Sequence, residues 1–111
     1  MQIDVSEPRD GVAVLRLDGR LNMVSAPRLK DAVTRTVQHG RTKVVVDLSA
    51  VGFMDSSGLG ALIAGLKRAR QDGGDLRLAG VTSQVSTVLA LTNLDRVLRA
   101  HPSVQEALGG W

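Results

Sequence analysis

The alternation of apolar and polar positions changes period several times along the chain, and each change marks an element. Gln2 to Val5 alternates briefly and Gly11 to Leu17, GVAVLRL, alternates for longer, with the polar stretch Ser6 to Asp10 as a turn between them. The two segments predict an antiparallel strand pair. Asp18-Gly19-Arg20 then breaks the pattern. Leu29, Val33 and Val37 follow at spacings of four, a helical period, so a first helix is expected over roughly Ala26 to His39. Ser25 serves as its N-cap, Pro27 sits in the first turn, and Gly40 suits the left-handed position beyond the end.

Val44-Val45-Val46 with Leu48 is a continuous β-branched run, the mark of a strand buried on both faces and hence central in a sheet. A second helix carries Leu59, Leu62, Ile63, Leu66 and Ala69, and the turn Asp72-Gly73-Gly74 leads into an alternating strand, Asp75 to Ala79. Strand, crossover helix and strand in that order imply a parallel pair with a right-handed connection. Thr82 or Ser83 caps a third helix built on Val85, Val88 and Leu89, with Asn93 in a left-handed position at its end. Val97-Leu98 is expected as a last short strand. Ser103 and Glu106 have capping-box spacing before a short terminal helix containing Val104, Ala107 and Leu108. The series is β, β, α, β, α, β, α, β, α, an α/β sandwich with helices available to cover the sheet.

Composition narrows the class. At 111 residues, the chain is expected to form a single domain over 1–111 with one core. Phe53 and Trp111 are its only aromatic residues, so that core must be aliphatic. Without cysteine there is no disulfide, no thiolate nucleophile and no Cys-based metal site, which fits a reducing compartment. MQIDVSEPRD does not read as a signal peptide, and the longest apolar run, Gly58 to Leu66, is far shorter than the roughly 20 residues of a membrane span. A cytoplasmic protein without a membrane span is expected. The net charge of +3 is spread along the chain, and Lys67, Arg68 and Arg70 form the one tight basic group. With no aromatic residue among them, they read as the last turn of a helix complementing its dipole, and no nucleic-acid partner is expected.

The second helix has an unusual face. Opposite its apolar stripe it collects Gly58, Gly60, Ala61, Ala64, Gly65 and Arg68, where a solvated helix normally carries Glu, Lys and Gln. Each interior glycine costs about 1 kcal/mol relative to alanine. Either another element of the domain packs there, or the face is a docking surface for a second protein; the latter is favoured, because the small face continues from the turn Phe53-Met54-Asp55-Ser56-Ser57. One of Asp55 and Ser56 is expected to cap the helix, which leaves a second hydroxyl without a task.

Chemistry at that turn is restricted. A hydrolase elbow needs Gly-x-Ser-x-Gly, and the residue two before Ser56 is Met54. His39 and His101 fall at predicted element ends with no orienting carboxylate evident. Gly58, Gly60 and Gly65 do not satisfy a dinucleotide fingerprint, and no P-loop lysine follows. No metal cluster or cofactor motif is present. A nucleotide at the bare helix N-terminus is a weak alternative. The remaining use of the serine is as a phosphoacceptor: a phosphoryl group adds about −1.5 to −2 charge at a helix start that tolerates it. Beside Asp55 that charge would alter docking without unfolding the chain.

The block Phe53-Met54-Asp55-Ser56-Ser57-Gly58-Leu59-Gly60, with Val45-Val46-Asp47-Leu48 before it and Gly73-Gly74 after it, closely resembles the STAS domain of bacterial anti-sigma factor antagonists. Leu17-Asp18-Gly19-Arg20-Leu21, Ser25-Ala26-Pro27 and Leu91-Thr92-Asn93-Leu94 extend the resemblance over nearly the whole chain. It implies a STAS-like α/β fold, with a four- to five-stranded mixed sheet, an N-terminal antiparallel pair, central parallel strands and about four helices, the main ones packed on one face. It also implies partner switching by a non-enzyme. The unphosphorylated antagonist binds an anti-sigma factor with serine-kinase activity and frees a sigma factor; phosphorylation ends the complex and a serine phosphatase restores it. The family's phosphoacceptor carries over onto Ser56, with Ser57 as the alternative. The partner-binding surface is expected at Asn22, Asp55, Ser56, Ser57, Gly58, Leu59, Gly60, Ala61 and Gly65. Asn22 stands where many phosphorylatable members have an acidic residue, keeping the hydrogen-bonding shape and losing the charge. STAS domains also serve as docking subunits of transport, lipid-trafficking or stress-signalling complexes, which is the alternative role.

Overall fold

The computed structural model describes residues 1–111. Ten elements follow one another: β1 (Gln2–Arg9), β2 (Val12–Leu21), α1 (Ala26–Gln38), β3 (Lys43–Met54), α2 (Ser56–Gln71), β4 (Asp75–Ala79), α3 (Ser83–Leu91), a 3-10 turn (Leu94–Arg96), β5 (Ala100–His101) and α4 (Val104–Ala107). The sheet order is β1-β2-β3-β4-β5, with β1 and β2 antiparallel and every later pair parallel. This is the mixed sheet with four helices that the sequence implied.

Both N-terminal strands run further than the polar pattern predicted. Ser6 to Asp10 is not a turn: β1 continues to Arg9, and the chain reverses only at Asp10-Gly11, where Gly11 has φ +76°. Ser6 pairs with Val14 and Arg9 with Val12, so Glu7 and Pro8 together oppose Ala13 in a bulge. A bulge on an edge strand accommodates the donor that proline lacks. Asp18-Gly19-Arg20 likewise does not end β2. Its register with β3 shifts on either side of Asp18, where two β3 residues, Leu48-Ser49 and then Val51-Gly52, oppose the single residues Leu17 and Gly19, the latter at φ +124°, and β2 still reaches Leu21 beside Met54.

Alternation divides the sheet between two cores. Ala13, Leu15 and Leu17 of β2, Val44, Val46 and Leu48 of β3, and Leu76 and Leu78 of β4 pack beneath α1, α2 and α3, in a cluster of 23 buried residues that is wholly aliphatic. On the other face, Val14, Val45 and Ala79 meet Ala107 of α4, with Trp111 packed alongside. Arg77 holds that segment down: its guanidinium lies 3.8 Å from the centre of the Trp111 ring and donates to the carbonyls of Ala107 and Gly109. β3 is therefore buried on both faces, as its β-branched run required.

The last strand is also a correction. Val97-Leu98 forms no strand; Ala100–His101 does, pairing with Leu78 and Ala79. Leu98 is fully buried in the main core, so its side chain and not its backbone explains the apolar pair. Asn93, by contrast, takes the expected left-handed conformation at φ 58°, and Ser103 accepts from the Glu106 N–H at the start of α4.

Asp47 is the one carboxylate in the interior, 5% exposed on the α4 face. Burial would raise its pKa, but the Ser49 backbone N–H and hydroxyl and the Arg16 guanidinium, 3.1 Å away, outweigh burial and hold it below 3.8.

Candidate functional site

The site is built where β3 ends and α2 begins. β4 accompanies β3 only as far as Asp47 beside Ala79, so the last residues of β3 have no strand on that edge. The first turn of α3 takes its place. Thr82 donates its hydroxyl to the Val51 carbonyl, and the Gln84 amide bonds Met54 twice, accepting from its N–H at 2.8 Å and donating to its carbonyl at 3.0 Å. On the opposite edge, the Asp55 N–H donates to the Leu21 carbonyl. Met54 and Asp55 are thus held from opposite sides, and the Asp55 carboxylate accepts from the Gly58 N–H at 3.0 Å as the N-cap of α2.

With the cap supplied by Asp55, Ser56 is the first helical residue and its exposed side chain has no capping duty. Ser57 is half-buried and turns toward α1, where it lines a cleft with Met23, Ala26, Pro27, Lys30 and Gly60. Asn22 lies in the loop before α1. Its side-chain carbonyl accepts from the Val24 and Ser25 N–H groups at 3.0 and 3.2 Å, and Ser25 donates its hydroxyl to the Arg20 carbonyl. Ser25 occupies the N-cap position of α1 but spends its side chain on this loop, not on the helix. An aspartate at position 22 could accept the same two bonds, so the loop's shape does not depend on the amide.

The expectation of a free small-residue face on α2 is corrected in part. Gly58, Leu59, Ala61 and Gly65 are all buried, and α1 packs over the helix. A Cβ on Gly58 would stand 2.5 Å from the Leu21 carbonyl oxygen and 2.6 Å from Leu21 Cγ; one on Gly65 would stand 3.2–3.4 Å from Leu76 and Val33. These residues are small because the chain itself presses against them. Gly60 differs: it is exposed, and nothing lies within 4 Å of a Cβ built there. Asn22, Asp55, Ser56, Ser57 and Gly60 remain accessible together at one end of the molecule.

The histidines are not brought there. His39 closes the far end of α1, its Nδ1 against the Arg35 carbonyl, and His101 sits in β5. At 1.5 Å per residue, the length of α1 puts about 20 Å between its two ends. Gln84, the double brace of Met54, was not signalled by any motif, since a glutamine in a first helical turn is unremarkable in sequence. No helix is long and apolar enough to cross a membrane.

This combination, a mixed sheet with three helices on one face and a bare serine opening the helix after the central strand, has counterparts among known proteins. Residues 5–107 match the STAS domain, and the chain belongs to that family. An anti-sigma-B factor antagonist of Staphylococcus aureus is 26% identical over 91 residues, spanning 82% of this chain and 84% of its own. The crystal structure of an anti-sigma factor antagonist from Mycobacterium paratuberculosis superposes with a TM-score of 0.84 at 31% identity, covering 96% of this chain and 90% of that one. The Bacillus cell fate determinant SpoIIAA in its phosphorylated form shares the fold at 18% identity, with a TM-score of 0.75 over 96% of each chain.

Proposed function

We propose that this chain is an anti-sigma factor antagonist that works by partner switching. Unphosphorylated, it binds an anti-sigma factor with serine-kinase activity and so releases a sigma factor. Phosphorylation of Ser56 ends the complex, and a serine phosphatase restores it. The observation that carries the reading is the division of labour at the start of α2: Asp55 supplies the cap, leaving Ser56 exposed as the first helical residue and without a structural duty. The names of the relatives support the partner class.

In the switching step the Ser56 hydroxyl oxygen attacks the γ-phosphorus of ATP bound to the kinase. The new bond is Ser56 Oγ–P, the bond to the bridging oxygen breaks, ADP leaves, and the hydroxyl proton passes to a base on the kinase. The phosphoryl group brings about −1.5 to −2 charge to a helix N-terminus, where the dipole and free N–H groups favour it, so the fold survives. Beside the Asp55 carboxylate it brings the local charge on the docking end to about −2.5 to −3. The direct test is incubation with ATP and the cognate kinase followed by peptide mapping. One phosphoserine at Ser56 is expected; modification confined to residues other than Ser56 and Ser57 would overturn the assignment.

A further inference from the structure

Of the three glycines in the first ten residues of α2, two are packed against by the chain's own residues and the third is not. A Cβ on Gly58 would collide with Leu21, one on Gly65 would press tightly on Val33 and Leu76, and one on Gly60 would face open space. A glycine in a helix interior is a cost, and at Gly60 no internal contact offsets it. Its missing side chain leaves one wall of the cleft between the first turns of α1 and α2 bare. The cleft has a volume of about 470 Å³, with Met23, Ala26, Pro27 and Ala61 as apolar walls and Ser57 at the α2 side.

Two further features say what the cleft fits. Lys30 is the one charged residue lining it, with no carboxylate in the lining. Met23 and Val24, on the rim loop, are 73% and 79% exposed although the Asn22 and Ser25 hydrogen bonds fix the backbone that carries them. Large apolar side chains on a rigid loop are pre-organised for contact, since little freedom is lost when they are covered. We infer that the cleft receives an apolar side chain of the anti-sigma partner flanked by a carboxylate, the apolar group seating against Met23, Pro27 and Gly60 and the carboxylate pairing with Lys30. The inference rests on the docking role proposed above and adds to it the chemistry of the partner segment. It also gives the mark a target: a phosphoryl on the adjoining turn repels the partner's carboxylate and offers Lys30 a competing anion within the chain.

The test measures the Kd of the purified kinase-type anti-sigma factor that phosphorylates this chain, by calorimetry at two salt concentrations. Gly60→Leu fills the cleft from a position with room for the new side chain, and Lys30→Glu reverses its charge. Each is expected to weaken binding by about tenfold or more, with Lys30→Arg close to wild type and the salt dependence reduced in Lys30→Glu. Far-ultraviolet circular dichroism and thermal melts check that both variants remain folded. Binding of Gly60→Leu and Lys30→Glu at wild-type affinity, while Ser56→Asp loses the partner, would overturn the cleft and leave the phosphoserine switch standing. Loss in the two cleft variants with full binding by Ser56→Asp would keep the cleft and remove the switch.

Discussion

Two interleaved sets of small residues on α2 look alike in sequence and behave differently in three dimensions. At Gly58 and Gly65 small size answers to β2, α1 and β4, which press against the helix from within. At Ser56, Ser57 and Gly60, one turn away or less, the same kind of residue meets solvent or a cleft. Small residues on a helix therefore carry two meanings, close internal packing and access for something outside. The space around a Cβ separates them where periodicity does not.

Substitutions that treat the two groups identically should pull them apart. The largest effect is expected from Gly58→Ala, whose methyl group would collide with a backbone carbonyl that cannot swing aside; a loss of about 3 kcal/mol in urea unfolding is expected, and wild-type stability would show that α2 can slide away from β2. Next is Gln84→Ala, which frees the N–H and carbonyl of Met54; about 2 kcal/mol should be lost, together with faster hydrogen exchange at Met54 and Asp55. Gly60→Ala has the opposite sign, raising stability by about 1 kcal/mol through helix propensity alone. A loss there would mean that Gly60 is packed like Gly58.

Smaller still is Ser56→Asp, at an exposed position without a cap, expected within about 0.5 kcal/mol of wild type in the same unfolding experiment. The partner affinity, and not the melt, should register this change. The smallest effect at neutral pH is that of titrating Asp47, on the opposite sheet face. Its folded-state pKa lies below its ordinary value, so the stability it contributes is present above that value and is lost as pH falls through the folded-state one. Urea midpoints should be insensitive to Asp47 titration between about pH 5 and 8. Below about pH 4, Asp47→Asn should flatten the acid limb of the profile while leaving the kinase reaction at Ser56 unchanged.

Much of this molecule is local and could be read from the residues in order. The i, i+4 spacing of Leu29, Val33 and Val37 defines α1, and the unbroken Val44-Val45-Val46 run defines a strand with no solvent face. Asp55-Ser56-Ser57 at a strand-to-helix turn singles out the hydroxyls because a cap needs only one of them. Polar residues misled twice: Ser6 to Asp10 and Asp18 to Arg20 read as breaks, yet the exposed edge strand β1 makes no demand for apolar side chains, and bulges at Glu7-Pro8 and, on β3, opposite Leu17 and Gly19 keep the ladders going. Leu98 misled in the other direction, since a buried leucine need not belong to a strand.

The sequence by itself determined the order and type of the main elements, the central place of β3 and the placing of two serines at the start of α2, because periodicity and capping act between residues a few positions apart. Tertiary structure decided which small residues of α2 are free, that Gln84 braces the turn, and that Lys30 and Met23 share a cleft with Ser57. Those depend on distances between residues far apart in the chain: 2.5 Å separates Leu21 from a Cβ on Gly58, and 2.8 Å separates Gln84 from Met54. No local pattern records them, because they arise only when the sheet has set each helix against its neighbour.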